Sequence, residues 1–394
     1  MFYLFCPNIM GVYKTALLSI GSNLGNRELL LQKAIFKISE MAGEIRQVSG
    51  IYETPSWGFE GEDFLNACLE LQTLLSPEDL LTKLLAIELE FGRERNDSKH
   101  YRSRTLDIDI IYYEKEVIDT TILTVPHPKM QERKFILKPL ADISPQFYHP
   151  ILNKDTRNLL QECKDKSPIT KQATRLFKNR HSLFASLEYV VIEGNIGAGK
   201  TTLATMISED FNAKPILERF AENPFLPNFY LDQARYAFPL EMSFLADRYQ
   251  QFTEDTNQLD LFRSFMVSDY DIYKSLIFAK VTLQQNEFEL YRKVFNFMYK
   301  EVKKPKIYVY LYQTTERLLQ QIKQRGRAYE QNIEFSYLEK INRGYFDFLK
   351  TYPKENQLII DVSELDFVSY KSDYNTILTK IEDFTLSDVQ QYKS

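Results

Sequence analysis

The stretch Glu193-Gly194-Asn195-Ile196-Gly197-Ala198-Gly199-Lys200-Thr201-Thr202 decides how the second half of this chain is read. It follows Tyr189-Val190-Val191-Ile192, an apolar run of the kind that forms a buried strand. It precedes Leu203-Ala204-Thr205-Met206-Ile207, which reads as the opening of a helix. Gly194, Gly199, Lys200 and Thr201 stand at the G-x-x-x-x-G-K-[ST] spacing. Glycines there let backbone N–H groups turn inward around an anion, and a helix N-terminus adds positive potential. The loop through Asn195, Ile196, Gly197 and Ala198 to Thr202 is therefore expected to wrap nucleotide phosphates. Lys200 would reach the β/γ-phosphates and the Thr201 hydroxyl would ligate magnesium. An ordinary glycine-rich turn is the bland alternative, disfavoured by the strand before and the helix after.

The chain has 394 residues, enough for two or three domains with full cores. It is 44% hydrophobic and 26% charged, a globular balance. A net charge of −5 gives no bulk attraction for nucleic acid, so phosphate binding must be local. Cys6, Cys68 and Cys163 are far apart and odd in number, which points to a reducing compartment and against a disulfide framework or zinc cluster. No apolar run reaches the roughly 18 residues of a membrane span. The stretch Met1–Met10 lacks the basic start and small-residue cleavage site of a signal peptide. The expectation is a cytoplasmic protein without membrane contact, with translation starting at Met1 or Met10.

In the first half, Lys14 to Gly21 reads as a strand followed by the turn Gly21-Ser22-Asn23-Leu24-Gly25 and a helix through Glu40. Val48 to Tyr52 and Phe64 to Leu71 are further strand candidates. Ser76-Pro77-Glu78-Asp79 opens a helix to about Phe91: a cap, a first-turn proline and early acids. The elements interleave without regular βαβ alternation, which indicates α+β. The chemistry lies at Arg102-Ser103-Arg104-Thr105-Leu106-Asp107-Ile108-Asp109-Ile110. On a strand both carboxylates share one face, with Cα atoms roughly 6.5 Å apart. They repel unless cations lie between them, and magnesium with nucleotide phosphates suits such a pair. A solvated strand face is the alternative. Arg93, Arg95, Lys99, Arg102 and Arg104 just upstream could clamp phosphates or merely solvate a loop.

Four motifs occur in order: G-S-N-L-G, Y-E-T-P with F-L-N-A, R-T-L-D-I-D-I and V-P-H-P-x-M-x-x-R-x-F. Over roughly Thr15 to Pro150 the chain resembles 6-hydroxymethyl-7,8-dihydropterin pyrophosphokinase. The resemblance implies a ferredoxin-like α+β fold and pyrophosphate transfer from ATP to a pterin hydroxymethyl group, releasing AMP. It implies that Asp107 and Asp109 hold two magnesium ions, and that Thr54, Pro55, Phe64, Asn66 and Phe135 line a pterin pocket. Arg93, Arg95, Arg104, His127 and Arg133 would face the triphosphate. Tyr101 and Ser103 depart from the family's better-known forms, in a loop where they bear on closure and rate.

After a polar stretch, 156–186, read as a linker, Ala213 to Glu218 reads as a strand ending in a carboxylate. In a parallel sheet that places Glu218 at the ligand-binding edge, where it could act as a base for an acceptor hydroxyl or simply cap a surface. A long helix spans Arg235 to Gln251, Leu261 to Val267 is apolar, and Lys306 to Leu311 and Leu358 to Asp361 are further strands. Strand and helix alternate, which indicates α/β with a parallel sheet. Arg325-Gly326-Arg327 could close over phosphates, or terminate a helix by complementing its dipole.

This half, Leu187 to Asp366, resembles the deoxyribonucleoside kinases, through the P-loop, Glu218, N-P-F-L with Tyr230, the helix Phe238 to Arg248 and R-G-R-x-x-E-Q. The resemblance implies that Glu218 takes the sugar 5′-hydroxyl proton and that Arg325 and Arg327 act on the transferring phosphoryl group. Tyr230 and Glu330 would hold the 3′-hydroxyl, Phe278 would stack on the base, and position 241 would read its edge beside Arg248. Two departures follow. Glu241 stands where glutamine is common, and a carboxylate only accepts hydrogen bonds, so it suits bases rich in N–H groups. Asp269-Tyr270-Asp271 replaces an acid-Arg-Ser motif, leaving the arginine's role vacant or filled by another basic group.

The reading is two domains, 14–155 and 187–394. The first is ferredoxin-like α+β and the second an α/β P-loop kinase. Both use ATP and Mg2+ on small molecules, and a homodimer through the kinase half is expected. The second acceptor is expected to be deoxyadenosine. The alternatives are deoxyguanosine, a nucleoside monophosphate, or a non-catalytic nucleotide-binding module.

Overall fold

The computed structural model describes residues 12–93, 103–219, 223–257, 263–300 and 303–391. The chain divides into two units, residues 1–183 and 184–394.

In the first unit, strand β1 (Lys14–Ser22) is buried from Ala16 to Ser22, and such a strand needs cover on both faces. Helix α1 (Arg27–Met41) follows, then β2 (Glu44–Val48), β3 (Tyr52–Thr54) and β4 (Phe64–Thr73). Helix α2 (Pro77–Glu90) starts as read, with the Ser76 hydroxyl accepting from the Asp79 N–H. Strand β5 (Asp107–Tyr113), the short hairpin β6 (Ile118–Asp119) and β7 (Thr124–Val125), helix α3 (Lys134–Ile143), helix α4 (Thr156–Glu162) and β8 (Thr170–Lys171) complete it. The main sheet runs β5-β1-β4-β3-β8, with β2 also on β4, and every pairing is antiparallel. Leu18, Ile20, Ile108 and Ile110 pack against α1 and α2 on one face. Leu17, Ile111 and Tyr112 pack against α3 and α4 on the other.

Two sequence expectations change here. Val48 to Tyr52 is not one strand: it spans the end of β2, a break at Ser49–Ile51 and the start of β3. Residues 156–177, read as part of a linker, carry structure of the first unit. α4 packs on α3, β8 extends the sheet from β3, and Gln32 holds Phe177 by two main-chain hydrogen bonds.

Helix α5 (Arg180–Ala185) spans the division, its Phe184 entering the core of the second unit, which continues with β9 (Tyr189–Gly194), α6 (Lys200–Asp210) and β10 (Lys214–Ile216). Next come α7 (Leu226–Phe229), α8 (Gln233–Asn257), β11 (Met266–Ser268), α9 (Tyr273–Thr282) and α10 (Gln285–Tyr299). The chain ends with β12 (Ile307–Tyr312), α11 (Thr315–Arg325), α12 (Phe335–Leu349), β13 (Gln357–Asp361) and α13 (Lys371–Gln391). The sheet is parallel, in the order β10-β11-β9-β12-β13. α6, α11 and α13 cover one face, and α9, α10 and α12 the other. β10 is shorter than read because Leu217 and Glu218 leave the ladder: the Leu217 carbonyl accepts from Gln251 and the Glu218 N–H donates to Asp269. Among the described residues no helix is long and apolar enough to cross a membrane.

Candidate active sites

The first site lies on the α3 face of the antiparallel sheet. Because Ile108 and Ile110 fill the opposite face, Asp107 and Asp109 must turn toward this one. With Thr54, Pro55, Phe64, Asn66, Arg104, Arg133 and Phe135 they line one cavity of about 550 Å³. Asn66 donates to the Thr54 hydroxyl at 3.0 Å, and both are buried. Gly21 makes room for this pair, since a Cβ there would lie 3.1 Å from Asn66 Oδ1. Trp57 and Phe59 also form the wall.

Charge is concentrated at Asp107. Arg93 and Arg104 reach its Oδ1 at 2.7 and 2.6 Å. Arg93 also pairs with Glu88, a buried acid of α2 that accepts the Ile108 N–H as well. The Glu88 role escaped the sequence reading; its only signal is an acid on the core-facing side of an amphipathic helix. Burial and the neighbouring Asp107 charge push Asp109 up to about 7. Even with these arginines the pair does not comfortably carry two full charges, and its donor set suits magnesium. Among the described residues no cluster of three or more His, Cys, Asp or Glu makes a metal site alone. His127 Nδ1 accepts the Lys129 N–H at 3.3 Å, which leaves the proton on Nε2, 3.9 Å from Asp109. Burial and Arg133 lower His127 to about 4. Arg133, expected at the triphosphate, stacks 5.2 Å from the Trp57 ring centre and 5.7 Å from that of Phe135, in the cavity wall. Arg95 and Tyr101 lie outside the described residues. Ser103 accepts from Asn23 at 3.0 Å, and Asn23 also holds the Arg104 N–H, which ties the G-S-N-L-G turn to the motif arginine.

The second site lies at the C-terminal ends of β9, β10 and β11, where ligands bind in such sheets. Gly194, Gly197 and Gly199 have φ of 159°, 85° and 86°. A Cβ on Gly199 would sit 2.6 Å from Phe367. Asn195 anchors the loop from beneath through the Leu338 carbonyl and Asn342, both at 2.8 Å. Lys200 donates to the Asn195 carbonyl at 2.8 Å. Burial and the nearby Lys274 lower it to about 8. Thr201 donates to Asp269, whose other oxygen holds the Glu218 N–H. Ile196, Ala198 and Thr202 complete the loop, with Ala198 and Thr202 facing a second recess beside Arg317 and Phe367 that the sequence reading missed.

Glu218 sits between two cations. Arg248 donates through Nε and Nη2 at 2.7 and 2.6 Å, and Lys274 from α9 at 2.5 Å. Burial alone would raise its pKa, but Lys274 and Arg248 outweigh this and hold it well below the usual carboxylate range. Lys274 is thus a basic group standing beside Glu218, where the sequence left a place open at Asp269-Tyr270-Asp271. Tyr270 points elsewhere, fully buried in the core. Glu218, Lys200, Thr201, Tyr230, Glu241, Arg248, Phe278 and Glu330 line one cavity of about 750 Å³. Arg325 and Arg327 reach it too, but both are paired with Glu330, at 2.5 and 3.3 Å. The expected phosphate lid and the expected sugar-binding acid are thus joined to each other.

Residues 190–386 match the deoxynucleoside kinase family, and residues 17–145 match the 7,8-dihydro-6-hydroxymethylpterin-pyrophosphokinase family. A deoxyguanosine kinase of Bacillus subtilis is 38% identical over 200 residues, 50% of this chain and 96% of the relative. A 2-amino-4-hydroxy-6-hydroxymethyldihydropteridine pyrophosphokinase of Aquifex aeolicus is 41% identical over 149 residues, 38% of this chain and 91% of the relative. Among solved structures, a deoxyadenosine kinase from M. mycoides with dCMP and dCDP bound is 26% identical. It covers 50% of this chain and 99% of that one, at a TM-score of 0.44.

Proposed function

The chain belongs to the 7,8-dihydro-6-hydroxymethylpterin-pyrophosphokinase family over residues 17–145 and to the deoxynucleoside kinase family over residues 190–386, and on that premise we propose which side chains carry each reaction. It is a fused enzyme: one half transfers pyrophosphate to a dihydropterin and the other phosphorylates a deoxynucleoside, both with Mg-ATP. Magnesium, when bound, neutralises the phosphates and the carboxylates that face them.

In the first half the pterin lies between Phe64 and Phe135, with Asn66 and Thr54 on its edge. Asp107 and Asp109 would hold the metal. Arg93 and Arg104, now paired with Asp107, would face the triphosphate, and His127 would donate from Nε2. The sheet order β5-β1-β4 with β2 and β3 outside, crossed by α1 and α2, supports the ferredoxin-like reading. The domain boundary falls between Phe177 and Phe184, later than residue 155, because β8 pairs with β3 and Gln32 of α1 holds Phe177, whereas Phe184 enters the second core.

In the second half the observation that carries the reading is a single cavity holding both Lys200 with Thr201 and Glu218. The sugar 5′-hydroxyl donates to Glu218 and passes it its proton as the oxygen bonds to the γ-phosphorus; the bond to the β-phosphate oxygen breaks and ADP leaves. Little base strength is needed where the transition state is loose, so the low pKa of Glu218 is compatible with orienting the hydroxyl. Thr201 and Asp269 serve the metal, and Tyr230 and Glu330 the 3′-hydroxyl. Arg325 and Arg327 leave Glu330 for the phosphates. Deoxyadenosine is the favoured acceptor while Glu241 is protonated, because the acid then accepts from its amine and donates to its N1. Deoxyguanosine is the second reading, favoured by the activity of the Bacillus subtilis relative. Incubation with Mg-ATP and each of four deoxynucleosides, with monophosphate and ADP quantified, tests this: purine monophosphates are expected, and exclusive pyrimidine products would overturn it.

We place the enzyme in the cytoplasm, which the free, buried Cys68 and Cys163 support. A homodimer through the second unit is supported by Leu290 and Phe297, 54% and 81% exposed on one face of α10. Sedimentation of Phe297→Glu against the native chain checks it.

A further inference from the structure

Glu241 projects from α8 into the nucleoside cavity and is 2% exposed. Its Oε1 lies 3.0 Å from the Thr282 hydroxyl, while Oε2 has no hydrogen-bond partner among the described residues. A buried carboxylate oxygen unsatisfied within the protein faces the ligand. The groups around it do not neutralise it. Arg248 on the same helix is engaged by Glu218 and Ser275, and Lys274 of α9 by Glu218. Glu218 itself adds like charge. Tyr291 of α10 reaches only the Glu241 main-chain carbonyl, at 3.4 Å. Tyr230 and Tyr337 stand near it as neutral phenols, their pKa values raised by burial. Burial therefore lifts Glu241 to about 7, against the pull of Arg248 and the Thr282 hydrogen bond.

We propose that the protonation state of Glu241 selects the base: the neutral acid accepts adenine or guanine, and the carboxylate keeps guanine and rejects adenine. This deepens the nucleoside kinase reading and rests on it. A neutral acid offers an O–H donor beside a carbonyl acceptor. Adenine answers with N1 and its amine, and guanine with O6 and N1–H. A carboxylate offers acceptors alone. Guanine still supplies two donors, N1–H and its amine. Adenine sets the N1 lone pair against the charge, and a polar site facing the wrong pattern rejects its ligand strongly. Thr282 serves both forms. Its hydroxyl donates to Oε1, which stays an acceptor whether Oε2 is bare or carries the proton, and the Phe278 carbonyl lies 3.0 Å from the same hydroxyl.

The test is the ratio of kcat/KM for deoxyadenosine to that for deoxyguanosine, measured in competition from about pH 5.5 to about pH 8.5. A ratio cancels titrations common to both substrates, Lys200 included. The ratio is expected to be level on the acid side and to fall above neutrality, approaching about tenfold per pH unit. Glu241→Gln, whose amide keeps a fixed donor and acceptor, should hold it flat; should that variant not fold, the native profile alone decides. A level native ratio with both nucleosides phosphorylated overturns the proposal, as does a ratio that falls equally in the glutamine variant. Phosphorylation of neither nucleoside at any pH overturns instead the assignment of this cavity to the nucleoside.

Discussion

The Glu218 carboxylate has a cation on each oxygen, and one of them, Lys274, comes from α9 rather than from the segment beside Asp269. Two cations keep Glu218 ionised and fix its two oxygens in direction, which is what an acceptor-orienting group requires. Lys274→Met should therefore lower kcat for nucleoside phosphorylation about tenfold to a hundredfold while KM for ATP stays near its native value. Lys274→Arg should recover much of the loss; initial-rate ADP assays decide. At the other site, Asn66→Ala strips Thr54 of its buried partner and the pterin of an edge contact. KM for the pterin should rise about tenfold, as expected for an unmade buried hydrogen bond of roughly 1–3 kcal/mol, with AMP formation at saturation less affected. Neither Lys274 nor Glu88 was legible as functional in the chain. Lys274 meets Glu218, and Glu88 meets the Ile108 N–H, across more than ten residues and from another element, and nothing in the local spacing encodes either meeting.

Where the chemistry is local, the sequence says more. The P-loop lies within ten consecutive residues, so glycine spacing, the preceding strand and the following helix were all readable before the fold. Gly199 shows why the residue type is fixed: its φ is 86° and Phe367 closes on its open side. Gly199→Ala should distort the start of α6 and abolish most nucleoside phosphorylation, at a stability cost of about 1–2 kcal/mol visible as a lower Tm. The alternation of Asp107 and Asp109 with Ile108 and Ile110 was equally readable, because a strand turns alternate side chains to one face. Strand β8 was not. Its two residues, Thr170 and Lys171, pair with β3 only because the chain returns across the sheet edge, and so a stretch that is polar in sequence reads as a tether.

The two candidate sites lie in different units, each built on its own main sheet. Independence of the halves has a direct signature. Asp107→Ala should end AMP formation and leave deoxynucleoside phosphorylation at its native rate. Lys200→Ala should do the reverse, lowering ADP formation about a hundredfold or more by removing a phosphate contact. Product analysis on one preparation reads both.

Trp57 is the only tryptophan in the chain, and it stands in the pterin cavity wall beneath the Arg133 guanidinium. The second unit, rich in buried tyrosines, contains no indole. Light at the red edge of the protein's absorption, where tyrosine is transparent, is therefore taken up by the first unit alone. Its emission is a private channel on that half. Pterin should change it directly, and any change on adding deoxyadenosine would be an optical record of one half sensing the other.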